Sequence, residues 1–528
     1  MLSTAAHVTQ IALLAIFLGL VGRRPRAGEG DVLDAAGRGR GFAAGIALLA
    51  AAAILGHLEY FAKPHLNTHE FLHYYLNTKY FPETGYSGLY EAIVVADWED
   101  DRASYDPAGL ARSQTTYALE PRSAIVARAD AIRARFPPGR WRTFRQDVSW
   151  FRAEDGVLWR LGDSLKDHGY NGSPLVTLLL GGLARQPVLP TGAFIRAAAW
   201  LDITLVLLAG LVLARCVNGA TGALFVFLWA VNPFNDHAYI GGAYLRSLHL
   251  LALLAAFVLY ARRRYAGSGA ALAIAALLRV FPAFLLAGLA LHDLVRRDRR
   301  TLLRRHAPLY ATAAATALVV VAGTSLLRSP EGRNPWLGFA EKMSLHSQRL
   351  SPNLIGLSYL FFYGPDHNVP AILHAREQGR MLNWGVEAAA TFRARRPWFL
   401  ATAALFGAAC LAAMRLGGPE DGLFAGFVAI YAVLHLAHYD YALLALVPFL
   451  VPWRRGPLTW FAWLGIAAAA ACLVPRMTEV LDERFFVLSG VVGLFYALAL
   501  LLRLRRLAEA GPSDGRVATT QTTRARAR

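Results

Sequence analysis

Apolar residues gather into runs of roughly twenty, separated by short polar or arginine-rich breaks, along the whole chain. A helix that crosses hydrocarbon needs about 20 mostly apolar residues, so each run predicts a spanning helix. The runs place helices near 4–22, 41–62, 192–214, 219–233, 244–261, 306–325, 398–415, 420–438, 441–453, 457–475 and 485–503. Arginine clusters then set the direction of each crossing. Arg23 to Arg40, Arg262 to Arg264, Arg296 to Arg305, Arg454–Arg455 and the stretch from Arg503 form a self-consistent path when all are cytoplasmic. Segment 269–294 has basic clusters on both flanks and Leu278-Arg279-Val280-Phe281-Pro282 at its centre. One straight helix would put one cluster on the wrong side. Two short helices broken at Arg279–Pro282 keep both inside. Arg393, Arg395 and Arg396 fall outside on this path, which requires anionic lipid there or one crossing more or fewer.

The path leaves two long outer loops, 63–191 and 326–397. Both contain tryptophans, tyrosines and short amphipathic stretches such as 173–186, which predict interfacial helices. The expected fold is therefore an all-α polytopic transmembrane bundle of about 11 crossings plus one re-entrant hairpin. Residues 1–40 form an extra N-terminal helix with its cytoplasmic loop, 41–503 the main transmembrane domain, and 504–528 a basic disordered tail.

Composition removes the soluble alternative. With 55% hydrophobic and 17% charged residues and a mean hydropathy of +0.36, the chain lacks the charge to cover several water-facing domains. The net charge of +18 would fit a nucleic-acid partner in a soluble protein. Here the arginines sit at helix ends and do not interleave with aromatic residues, so no nucleic acid is expected. Cys216, Cys410 and Cys472 lie in or beside apolar segments and imply neither a disulfide framework nor a cysteine metal site. The opening MLSTAAHVTQ has no basic segment ahead of its apolar run, an order that fits an outside-in first helix and not a cleaved signal peptide.

Chemistry concentrates just after the second helix, in His65-Leu-Asn-Thr-His69-Glu70-Phe-Leu-His73-Tyr74-Tyr75-Leu-Asn-Thr-Lys79-Tyr80. His69-Glu70-x-x-His73 has the spacing of a zinc protease, two imidazoles one turn apart with a glutamate to activate water. His65 adds a third histidine on that face. No second protease motif accompanies it. Asp202 is a charge inside a predicted helix, and Asp97, Glu99, Asp100 and Asp101 form an acidic run that reads as a solvated loop.

A carboxylate outside an early helix, followed by Tyr74-Tyr75 and Lys79-Tyr80-Phe81, resembles the first outer loop of GT-C superfamily glycosyltransferases. Among these the chain is most similar to the bacterial polyprenol-phosphate-mannose-dependent α-mannosyltransferases. Further blocks follow in the family's order over roughly 41–453. Gly169-Tyr170-Asn171-Gly172-Ser173-Pro174 looks like their Tyr-x-x-Pro segment, and Leu278-Arg279-Val280-Phe281-Pro282 like their Lys/Arg-x-x-Pro block. The stretch from Trp336 to Asn353, with Lys342 and His346, resembles their second outer loop. His438-Tyr439-Asp440-Tyr441 resembles a late His-Tyr pair. The helix at 4–22 precedes the family's usual first one, and Glu70 stands where Asp is frequent.

The resemblance implies inverting transfer of one mannose-like sugar from a polyprenyl phosphate to an acceptor on the outer face of a bacterial inner membrane. That acceptor, whether lipid, glycan or protein, is left open. Glu70 would be the general base. Arg246, Arg279, Lys342, His346 and His438, with Tyr74 and Tyr170, would hold the donor phosphate and substrate. Besides the donor and the membrane lipids no partner is implied, and no cofactor is expected. The alternatives are a membrane zinc protease using His65, His69 and His73, and a lipid or solute transporter.

Overall fold

A computed structural model describes residues 4–22, 40–62, 68–101, 105–153, 161–185, 190–235, 244–330, 332–348, 350–378, 383–450, 455–473 and 481–509. These residues are overwhelmingly helical, with two short antiparallel hairpins, Leu110–Arg112 with Leu119–Pro121 and Leu354–Ile355 with Leu436–Ala437. Five helices are long and apolar enough to cross a bilayer: Thr191–Cys216, Arg299–Thr324, Trp384–Leu416, Gly456–Leu473 and Asp482–Glu509. Six shorter apolar helices accompany them, Ala5–Val21, Gly41–Gly56, Pro174–Ala184, Gly219–Ala230, Leu248–Ala261 and Tyr265–Leu278. Large apolar side chains lie open along these helices, among them Leu318 at 71% and Val319 at 70% exposure. In water such a surface would be costly; against lipid it is the expected one. The chain is an all-α membrane protein.

It divides into two compact units. The first comprises Met1–Val280, Ala307–Leu350 and Tyr439–Leu446, and the second Phe281–His306, Ser351–His438 and Val447–Arg528. In the first, Arg40–Ala62 packs on Gly219–Ala230, which also packs on Leu201–Cys216. Tyr265–Leu278 lies between Leu248–Ala261 and Ala307–Thr324. A side chain at Gly269 would run into the Leu309 carbonyl, so this helix pair needs a glycine at its crossing. In the second unit, Ala283–Arg296 packs on Pro419–Val433 through Gly288, Gly422 and Gly426 in the same way. Arg503 reaches Asp421 with two nitrogens at 2.8 Å, joining the last helix to Pro419–Val433.

The break expected near Arg279–Pro282 is present. Arg279 is extended (φ −142°, ψ 129°) and ends Tyr265–Leu278, and Ala283–Arg296 starts after Pro282. The two halves belong to different units, and each packs on helices of its own unit.

Four expectations need correction. The helix placed at 398–415 begins at Trp384 and runs to Leu416, so the second outer loop ends near Asn383 and Arg393, Arg395 and Arg396 are helical. The arginines interrupt hydropathy without interrupting the helix, because arginine is a good helix former. The segment at 441–453 is a 3₁₀ helix, His438–Phe449, with Pro448 inside it. The last helix continues to Glu509, past the expected start of the tail, and 510–528 lie outside the described residues. The acidic run is not a solvated loop: it ends the helix Leu89–Asp100, and its carboxylates meet arginines. Asp97 pairs with Arg152 at 3.1 Å, Glu99 with Arg133 at 3.3 Å and Asp100 with Arg145.

Loop 63–191 folds around a buried core of its own that includes Phe71, Tyr80, Phe144 and Phe151 and extends to Ile195 and Tyr244. Lys79 and Asp147 form an ion pair at 2.7 Å inside it, with both side chains under 5% exposed, and the Tyr80 hydroxyl donates to the same carboxylate at 2.7 Å. The segment Pro174–Ala184 is an apolar helix started by Ser173, whose hydroxyl accepts from the Val176 N–H.

Candidate functional site

Glu70 lies in a single helical turn, Thr68–Phe71, that continues without a break into a π-helical turn, Leu72–Leu76. A π turn leaves backbone carbonyls poorly matched, and here the Thr78 hydroxyl donates to the carbonyls of Tyr74 at 2.5 Å and Tyr75 at 3.3 Å. The widened turn carries His73, Tyr74 and Tyr75, all buried.

Glu70 lines a narrow cleft with Tyr74, Tyr244, Arg246, His249 and Arg279, and with apolar Val176, Leu180, Leu245, Leu248 and Leu278. Its carboxylate meets the Arg246 guanidinium at 2.5 Å, with the two side chains 13% and 8% exposed. The guanidinium also lies over the Tyr439 ring, 3.7 Å from its centroid. Arg246 is placed by backbone geometry. Leu245 adopts a left-handed conformation (φ 54°), and the N–H groups of Arg246 and Ser247 donate to the two oxygens of Asp202 at 2.9 and 3.0 Å. Asp202 is therefore a structural partner of this turn. The His249 ring bonds the Arg246 carbonyl at 3.1 Å.

Arg279 enters from the helix break, 5.8 Å from the Tyr74 ring centroid. The Tyr74 hydroxyl donates to Asn171 Oδ1 at 2.5 Å. Tyr170 packs edge-on against Tyr74 at 5.4 Å and stacks on Tyr86 at 5.8 Å, and its hydroxyl bonds Thr177 at 2.8 Å. Burial raises the Tyr170 and Tyr74 hydroxyls above their ordinary range, so both serve as neutral donors.

Tyr86, at the other end of this row of tyrosines, lines a second, larger cleft. That cleft is also lined by Gln114, Arg135, Arg333, Glu341 and Lys342, among others. Lys342 is buried, donates to Gln114 at 2.5 Å and sits over the Tyr117 ring; burial pushes its ammonium down to about 7. The His346 ring lies edge-on to His168 at 5.9 Å. Loop 63–191 thus meets the helix Pro335–Ser347 of the loop expected at 326–397 within the first unit.

Of the residues expected at the donor site, Glu70, Tyr74, Arg246 and Arg279 line one cleft, and Tyr170 packs behind Tyr74. Lys342 and His346 are not among its lining residues. His438 belongs to the second unit, where it is buried, its backbone N–H donates to Asn353 and its ring faces Phe485 at 5.0 Å. The neighbouring Tyr439, in the first unit, supplies the contact to Arg246. Of that His-Tyr pair it is thus Tyr439 that contacts Arg246.

His69 and His73 face away from that pairing. His69 Nδ1 bonds Ser164 Oγ at 3.0 Å, and its Nε2 is 3.4 Å from Asp167 Oδ2. The two imidazoles lie edge to face at 4.4 Å, and His73 Nε2 meets the Tyr90 hydroxyl at 2.5 Å. Burial, and then the neighbouring charge of His69, push His73 down to about 3, so it is neutral at physiological pH. His65 lies outside the described residues. Asp167 and Tyr90 had no sequence signal, since neither falls within a motif and the former is far from the histidines in the chain.

No protein-family model matches the chain, and no curated protein and no solved structure matches it.

Proposed function

We propose that this chain is a GT-C-type glycosyltransferase that moves one mannose-like sugar from a polyprenyl phosphate to an acceptor hydroxyl. The reaction would take place at the outer face of a bacterial inner membrane. The observation that carries this reading is the convergence of Glu70 and two largely covered arginines, Arg246 and Arg279, on a cleft walled by apolar helix residues. A covered arginine is costly unless compensated; Glu70 pairs with Arg246 and Asp440 acts on both arginines, and a phosphate would compete with these carboxylates for the two guanidinium groups. The donor lipid supplies that phosphate, and Val176, Leu180 and Leu278 supply a surface for the first prenyl units.

In the free protein Glu70 neutralises Arg246. A donor phosphate competes for the same guanidinium and, by taking it, leaves Glu70 able to accept a proton. The acceptor oxygen then bonds to the anomeric carbon from the face opposite the phosphate. The bond from that carbon to the phosphate oxygen breaks, its electrons leave on the lipid phosphate, and the acceptor proton goes to Glu70. Arg246 and Arg279 stabilise the charge that builds on the leaving group. Peptide hydrolysis by the His69-Glu70-x-x-His73 motif is less well supported, because it needs Glu70 beside the histidines, and Glu70 is ion-paired with Arg246 instead.

The purified full chain with polyprenyl-phosphomannose and an acceptor extract tests the reading. Glu70→Gln keeps size and hydrogen bonding but removes the base, and turnover should drop by roughly 10²–10⁴-fold. Undiminished transfer by this variant, or no transfer by the wild type from any polyprenyl-phosphate sugar, sinks the proposal.

A further inference from the structure

His69, His73 and Asp167 each offer one ligand atom, and the three atoms lie within 4.8 Å of one another. We infer that they form a binding site for a divalent transition metal of the zinc type, separate from the donor cleft, whose task is to brace the turn that carries Glu70. The inference goes beyond the proposed transfer reaction and holds whatever the substrate.

The donor set is two imidazole nitrogens and one carboxylate oxygen, which suits zinc and its neighbours and not magnesium or calcium. Ligand atoms around a tetrahedral zinc, at bonds of about 2.0–2.1 Å, stand roughly 3.3 Å apart. His69 Nε2 and Asp167 Oδ2 are already 3.4 Å apart, so two corners of the tetrahedron are nearly in place. The outer shell is in place as well. Ser164 bonds His69 Nδ1 and so turns Nε2 toward Asp167. His168 Nδ1 holds the other Asp167 oxygen at 3.2 Å. A hydrogen bond to the His69 backbone orients the His73 ring and directs Nε2 to the Tyr90 hydroxyl. That hydroxyl occupies the direction a metal would take on Nε2, and it either swings aside or becomes the fourth ligand.

The placement gives the site its role. His69 and His73 flank Glu70 on the α-to-π turn, and Asp167 is three residues before Tyr170, which packs against Tyr74. One ion would tie the turn that carries Glu70 to the segment that leads to Tyr170. This differs from the zinc-protease pattern in its third ligand and in leaving Glu70 to Arg246.

The test uses purified, chelator-stripped full chain in detergent, with zinc chloride as the probe. After dialysis the wild type should retain close to one zinc per chain. His73→Ala and Asp167→Ala should bind at least 10–100-fold more weakly, the loss that even an outer-shell change produces. His374→Ala, an exposed histidine remote in sequence, should bind as the wild type does. Cobalt(II) added to the wild type should give the strong visible bands of a four-coordinate nitrogen–oxygen site, a readout that needs no variant to fold. Zinc-free wild type after loading, retention equal in the ligand variants, or cobalt bands of an octahedral surface ion would each overturn the site. Glu70→Gln should keep its zinc while losing transfer, so failure of the site and failure of the proposed reaction are read separately.

Discussion

Arg246 makes three contacts at once: an ion pair with Glu70, a face-on contact with Tyr439 and, through its backbone N–H, a bond to Asp202. A lysine could keep the charge but not the planar fork or the stacking. Arg246→Lys should therefore raise the KM for a polyprenyl-phosphate donor by more than about tenfold, the cost of roughly one charge-assisted hydrogen bond, while the chain still folds. Steady-state kinetics against donor concentration checks it, and an unchanged KM would remove Arg246 from phosphate binding. Lys342 gives a pH-dependent prediction. Burial lowers its pKa to about 7 from an ordinary 10.5, so the folded chain resists protonation there. The penalty is full below about 7 and fades as pH rises toward the unfolded value. Lys342→Met should raise the thermal midpoint at pH 6.5 and lose most of that advantage by pH 10. Arg279 was legible in the sequence as a charge in apolar surroundings, Glu70 as part of a motif, Arg246 among the residues the resemblance implied and Tyr439 within one of its blocks. Asp167 was not, because its role arises only when segments distant in the chain meet.

At the level of elements, apolar runs and arginine clusters located most of the long apolar helices, since bilayer burial rewards length and hydropathy that are visible locally, and missed the polar helices Leu89–Asp100, Pro138–Ala153 and Pro335–Ser347. The break at Arg279–Pro282 was readable for the same reason: proline and a buried charge are both local signals. The core of loop 63–191 was less readable, because it joins helices of different lengths, such as Leu89–Asp100 and Pro138–Ala153, with short turns, and no run of apolar residues marks it. Helix contacts through glycine could be found only from the packing. A Cβ at Gly426 would press on the Phe284 carbonyl and the Leu285 Cα, which are backbone and cannot give way. Gly426→Leu should cost about 1–3 kcal/mol or more by overpacking. It should lower the midpoint of unfolding in detergent, whereas Gly407→Leu, with open space around it, should not. Equal behaviour of the two would mean that Ala283–Arg296 and Pro419–Val433 do not pack closely in the membrane.

For the whole molecule, the meeting of loop 63–191 with the helix Pro335–Ser347 within the first unit, through Lys342 with Gln114 and His346 with His168, requires both to emerge on one face. Ser123→Cys and Ser347→Cys, both at exposed positions, should each react with an impermeant thiol reagent in whole cells once exposed Cys216 is replaced by serine. Labelling of one position and not the other would break this topology. The direction of that face rested on arginine counts, with which Arg393, Arg395 and Arg396, now part of the helix Trp384–Leu416, stay at odds.

That helix has a further consequence. Trp384–Leu416 has 33 residues, and at 1.5 Å per residue it measures about 50 Å, against a hydrocarbon thickness of about 30 Å. Its apolar part after Pro397 fits the membrane, so roughly 20 Å of arginine-bearing helix stands clear of the acyl chains. Arg395 donates to the Tyr363 carbonyl at 2.8 Å and anchors that overhang to the short helix Tyr359–Phe362. A rigid rod of fixed length anchored in this way is sensitive to bilayer thickness: a thicker bilayer draws Trp398 and the arginines toward the headgroups, and a thinner one tilts the rod or pushes them outward. Lipid chain length thereby becomes a mechanical input to the second unit.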